Sequence, residues 1–126
     1  MQEQRDDLIK RLEEDGWRVS LINTDVPQEW ASEIWRVDSE WSPKGFGFWL
    51  TVVKKQNDAN EEEETNGLFG IGTSFVYPDD EMQANGKPFL TFGKGWGTRT
   101  TQFVNDLARL RHNAFVAEMK KSQEGL

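Results

Sequence analysis

The sequence predicts an α+β domain: a two-layer sandwich in which an antiparallel sheet of four to five strands carries an N-terminal helix and a longer C-terminal helix on one face. Three observations lead there. Apolar residues recur at helical spacing near both ends of the chain, and they alternate along several segments between. The links joining those segments are mostly of hairpin length, which implies strands that pair in sequence. With 126 residues, the chain has room for one full-sized domain, residues 1–126.

The first element is a short amphipathic helix over residues 4–15. Leu8, Ile9 and Leu12 form its stripe, and Gly16 sits where a helix C′ residue belongs. Glu13, Glu14 and Asp15 oppose the helix dipole, so packing rather than propensity must hold it. Residues 17–22 alternate, with Trp17, Val19 and Leu21 toward a core and Arg18 and Ser20 outward. Residues 23–27 are turn chemistry. Residues 28–41 fit two periods. Trp30, Ile34, Val37 and Trp41 suit a helix begun at Pro27, whereas Trp35, Val37 and Trp41 suit a strand. A strand over about 33–41 is favoured, because Ser42-Pro43-Lys44-Gly45 then forms a hairpin turn into the next segment.

That next strand, 46–55, has apolar residues on both faces: Phe46, Phe48, Leu50 and Val52 on one, Trp49, Thr51 and Val53 on the other. Apolar character on two faces marks a central strand. Residues 57–66 hold five acids and no base, and are expected to form a mobile hairpin loop (about 56–66). A strand over 67–76 follows, with Phe69, Ile71, Thr73 and Phe75 on its apolar face. Gly70 and Gly72 lie on the opposite face, where bare glycine implies close packing or a bend. Residues 77–88 are a polar loop, 89–92 a short strand and 93–97 a glycine-rich loop. The longest helix, 99–121, carries Phe103, Leu107, Leu110, Ala114 and Ala117 on one stripe.

Composition narrows the chemistry. There is no cysteine and one histidine, which removes thiol catalysis, Cys-ligated metals and a multi-His site within one chain. No apolar run is long enough to span a membrane. The start lacks signal-peptide features, and with the missing cysteines this points to the cytoplasm. The net charge of -7 argues against a dedicated nucleic-acid binder. Yet most of it resides in the acidic run, and the remainder is nearly balanced.

Several groups of residues are candidates for function. Residues 93–99 place glycines before a helix start, with Lys94, Gly95, Gly97, Thr98 and Arg99 available to an anion such as phosphate or carboxylate, or to an enzyme's anionic substrate. The same residues also suit a plain strand-to-helix turn with Thr98 or Thr100 as N-cap. Trp35, Trp41 and Trp49 fall on neighbouring strands. If they share a face they make a surface for a protein partner or a homodimer contact. Asp58 and Glu61 to Glu64 lack the spacing of a calcium loop. His112 lies opposite the helix stripe, toward solvent, and Asp79 and Asp80 are carboxylates without a fixed separation.

Lys44-Gly45-Phe46-Gly47-Phe48-Trp49-Leu50-Thr51 resembles the aromatic signature of RNA-recognition-motif domains. The resemblance covers this segment alone. Trp49 stands where that family has valine, and Thr51 where it has its last aromatic. It implies a single-stranded RNA site in which Lys44, Phe46 and Phe48 meet the bases from an exposed sheet face. With no cofactor fingerprint, metal cluster or nucleophile constellation, the expected function is a small non-catalytic binding or interaction domain using an aromatic-rich sheet face.

Overall fold

The computed structural model describes residues 2–39, 47–54 and 68–124. The elements are α1 (Gln2–Glu14), β1 (Trp17–Asn23), β2 (Ala31–Ser39), β3 (Gly47–Lys54), β4 (Leu68–Ser74), α2 (Glu81–Ala84), β5 (Leu90–Thr91) and α3 (Trp96–Glu124). The five strands pair antiparallel in sequence order, with β3 central, and α1 and α3 lie on one face. This is the expected α+β two-layer arrangement. The acidic run and the expected turn Ser42-Pro43-Lys44-Gly45 fall outside the described residues.

Alternation along the strands builds the core. Trp35 and Val37 on β2 pair with Leu50 and Phe48 on β3, and Ile71 on β4 pairs with Val52. These side chains meet Leu8 and Leu12 of α1 and Phe103 and Leu107 of α3, all buried. Each fully buried side chain of this size contributes about 1.5–3 kcal/mol relative to exposure. The two helices run side by side in the same direction. Arg11 of α1 donates to the Gly97 carbonyl and to Thr101 of α3, and Trp96 Nε1 donates to Asp7 at 2.9 Å.

The structure corrects some local expectations. On β1 the register shifts between Val19 and Leu21, a β-bulge at Ser20. The extra residue turns Ile22 toward the core and leaves Leu21 half exposed, the reverse of plain alternation. A second shift, between Val53 and Lys54, does the same on β4: Leu68 packs inward, while Phe69 is exposed and leans on Phe89 at 5.3 Å. The segment 28–41 forms a strand over its described part from Ala31 onward. The last helix begins at Trp96, three residues before its expected start. Neither Thr98 nor Thr100 is its N-cap; the Thr100 hydroxyl donates to the Trp96 carbonyl inside the first turn.

The loop over 77–88 contains α2, and a local signal explains it. Asp80 is the N-cap, accepting from the Gln83 N–H at 2.8 Å, while the Gln83 side chain accepts from the Asp79 N–H at 2.7 Å. Asp followed three residues later by Gln is a capping-box pattern.

Candidate interaction surface

The sheet face away from α1 and α3 divides into two parts. Over β3 and β4 it is covered by the loop bearing α2. A Cβ on Gly72 would run into the Ala84 carbonyl, and one on Gly70 into the Leu90 carbonyl and the Phe89 ring. The two glycines therefore admit the close cover that their position implied. Beneath it lie Ile34, Thr51 and Val53, all buried. Trp49 is half buried at the margin, with Tyr77 edge-on at 5.0 Å and the Arg36 guanidinium over its ring at 5.2 Å. Over β1 and β2 the face carries half-exposed Leu21 and a polar group in which Asp38 accepts from both Arg18 and Ser20.

Trp35 and Trp49 do not share a face. Trp35 pairs with Leu50 and Trp49 with Arg36, so the two rings point to opposite sides of the sheet. Trp35 is fully buried beneath the helices, its Nε1 donating to Glu33, which in turn pairs with Arg5 at 2.9 Å. The expected three-tryptophan patch is thereby corrected: alternation at consecutive β2 and β3 positions separates its members. Trp41 lies outside the described residues.

One set of exposed apolar side chains lies at the end of the sheet where β1 begins and β2 ends, while others, Leu21, Phe69 and Met82, stand elsewhere. Phe75, just past β4 and 58 % exposed, touches Phe48 at 5.3 Å. Phe48 touches Trp17 at 5.5 Å, and Trp17 carries the Arg111 guanidinium at 4.5 Å over its ring. Arg111 also donates to the Asp15 carbonyl at 3.1 Å and to Ser39 at 3.3 Å. Beyond this anchor, α3 continues past the sheet. No described residue of α3 after Arg111 is buried, although the segment carries Ala114, Phe115, Val116, Ala117 and Met119. Phe115 is 47 % and Met119 50 % exposed.

The sequence placed Phe75 on the apolar face of the strand 67–76, whereas it lies just past β4 and exposed; it did not single out Phe115 or Met119. A length comparison would have drawn attention to the last two. A 29-residue helix is about 44 Å long, whereas a nine-residue strand spans about 30 Å. The sheet cannot cover the whole helix.

The loop over 93–99 serves the fold at several points. Gly93 and Gly95 both take positive φ. The Phe92 and Trp96 rings stack at 5.5 Å, and the Gly97 carbonyl accepts from Arg11 and from Thr101. Lys94 and Thr98 are exposed. Arg99 is held by the neighbouring strand, its Nε and one terminal nitrogen donating to the Thr91 carbonyl. His112 is exposed, as are Asp79 and Asp80.

The RNA-recognition resemblance is corrected at Phe48. Its ring is fully buried in the core formed with the helices, so no base can stack on it. Lys44 and Phe46 lie outside the described residues. No helix among the described residues is long and apolar enough to cross a membrane. The chain matches no protein-family model, no curated protein and no solved structure.

Proposed function

We propose that the chain is a small, non-catalytic interaction domain that holds a protein partner at the end of its sheet, with the overhang of α3 as the principal contact. One observation carries this reading: residues 112–124 stay helical with none of their described side chains buried, while Phe115 and Met119 stand on adjacent turns of one face. A helical segment of about 20 Å with no buried side chain among its described residues gains little from propensity alone. Large apolar side chains held together in the open mark contact sites more often than scattered single ones do. Phe75 and Val76, both more than half exposed, extend the apolar surface at the same end.

Affinity capture with the full chain tests the proposal. Wild type is compared with the double variant Phe115→Asp, Met119→Asp and with Lys10→Glu, a control on the exposed side of α1. A protein retained by wild type and by the control but lost with the double variant supports the reading. Equal retention by all three contradicts it.

A further inference from the structure

A second surface, independent of the first, lies between the segment entering β5 and the outer side of α3. It is a groove of about 470 Å³, within the usual range for small-molecule sites. Its floor is apolar: Pro88 and Phe89 on one wall, Phe103 and Leu110 on the other. Its rim is cationic. Lys87 stands on the loop, and Arg99 and Arg109 stand on α3.

The charges do not cancel. Asp106, the one acid lining the groove, is already engaged, pairing with Arg109 at 2.9 Å and accepting from Gln102 at 3.0 Å. Among the described residues, no carboxylate pairs with Arg99 or Lys87. Arg99 instead gives two nitrogens to the Thr91 carbonyl, at 3.3 and 3.2 Å. A neutral acceptor fixes the guanidinium in place while leaving its positive charge in force. Gly95 protects that placement, because a Cβ there would come within 2.7 Å of the remaining terminal nitrogen of Arg99.

We propose that this groove binds a small anionic molecule with a flat apolar body, its acid group held between Arg99 and Lys87 and its body lying against Phe89, Phe103 and Leu110. Arg99 and Lys87 offer positive charge to a carboxylate or phosphate, and the apolar floor favours an aromatic or similar body over a bare ion. The site is not a helix-terminus anion site. Lys94, Gly95 and the first-turn residues Gly97 and Thr98 do not line it.

The test is an amide NMR titration of the full chain with phenyl phosphate, with benzyl alcohol and inorganic phosphate as the neutral and bare-anion halves of the probe. Saturable shifts at Phe89, Arg99, Gln102, Phe103 and Arg109 with phenyl phosphate, weaker with either half alone, are expected. Lys87→Gln and Arg99→Gln should each weaken binding about threefold to fivefold, the size of one partly exposed charge contact, and Lys94→Gln should leave it unchanged. Lys87 is exposed, so its variant reports even where Arg99→Gln disturbs the fold. Absence of saturable shifts, equal binding of benzyl alcohol, phosphate shifts confined to residues 95–98, or an equal effect of Lys94→Gln would each overturn the proposal.

Discussion

The Arg111 guanidinium lies 4.5 Å from the centroid of the Trp17 ring and, from that position, reaches both the carbonyl and the carboxylate of Asp15. Trp17 Nε1 donates to the same carboxylate at 3.1 Å. This contact fastens the last docked turn of α3 to the turn between α1 and β1. It also marks where the helix leaves the body of the domain. The side chain is only 11 % exposed, so the stacking is largely shielded from water.

Replacing Arg111 by alanine should therefore cost about 1–3 kcal/mol, from the lost cation–π contact and the lost hydrogen bonds to the Asp15 carbonyl and Ser39. Arg111→Lys should recover only part, since an ammonium cannot reproduce a stacked, forked guanidinium. Urea denaturation of the two variants beside wild type measures both.

The cover over the second sheet face predicts a contrast between two glycines. Gly72→Ala forces backbone to move at Ala84 and should cost about 1–3 kcal/mol as overpacking. Gly93 has φ +106 with nothing within 4 Å of its would-be Cβ, so Gly93→Ala meets only backbone strain and should cost about 1 kcal/mol. Equal losses in a thermal melt would show that the loop bearing α2 does not rest on Gly72.

Burial separates the aromatic residues that sequence alone grouped together. Trp35→Ala and Phe48→Ala should each lose about 3–5 kcal/mol, because both side chains are fully enclosed. Trp49→Ala should lose distinctly less, since its ring is half buried between Arg36 and Tyr77. Chemical denaturation of the three variants gives the order directly.

At the other end of α3, Asp7→Ala removes the acceptor of Trp96 Nε1 and the ion-pair partner of Arg11. A loss of about 1–2 kcal/mol is expected, with a change in tryptophan fluorescence as the Trp96 ring loosens against Phe92.

The layers and strand order were legible because period and link length are properties of the chain itself. The pair Gly70 and Gly72 even announced the cover on the second face. The inward turn of Ile22 was not legible, since a one-residue bulge at Ser20 reverses alternation without any special residue there. The face of Trp35 could not be read without the register that sets it against Leu50. The start of α3 was placed late because Gly95 and Gly97 flank Trp96, and glycine inside a first turn resembles a loop. The groove beside Arg99 needed the fold, because Lys87 and Arg99 are brought together by a turn and a strand of only two residues.

The double variant Phe115→Asp, Met119→Asp should change stability by no more than about 0.5 kcal/mol, since both side chains are exposed and pack on no buried neighbour of their own helix segment. A matching melting temperature would establish that any lost partner binding is a surface effect.

Photo-crosslinking from position 115 of the full chain, in an extract of the cells that make it, tests the central claim most directly. The account predicts one dominant protein adduct, competed away by unlabelled wild type and absent when the crosslinker sits at position 10. Labelling from position 115 that is no stronger or more selective than labelling from position 10 would contradict it.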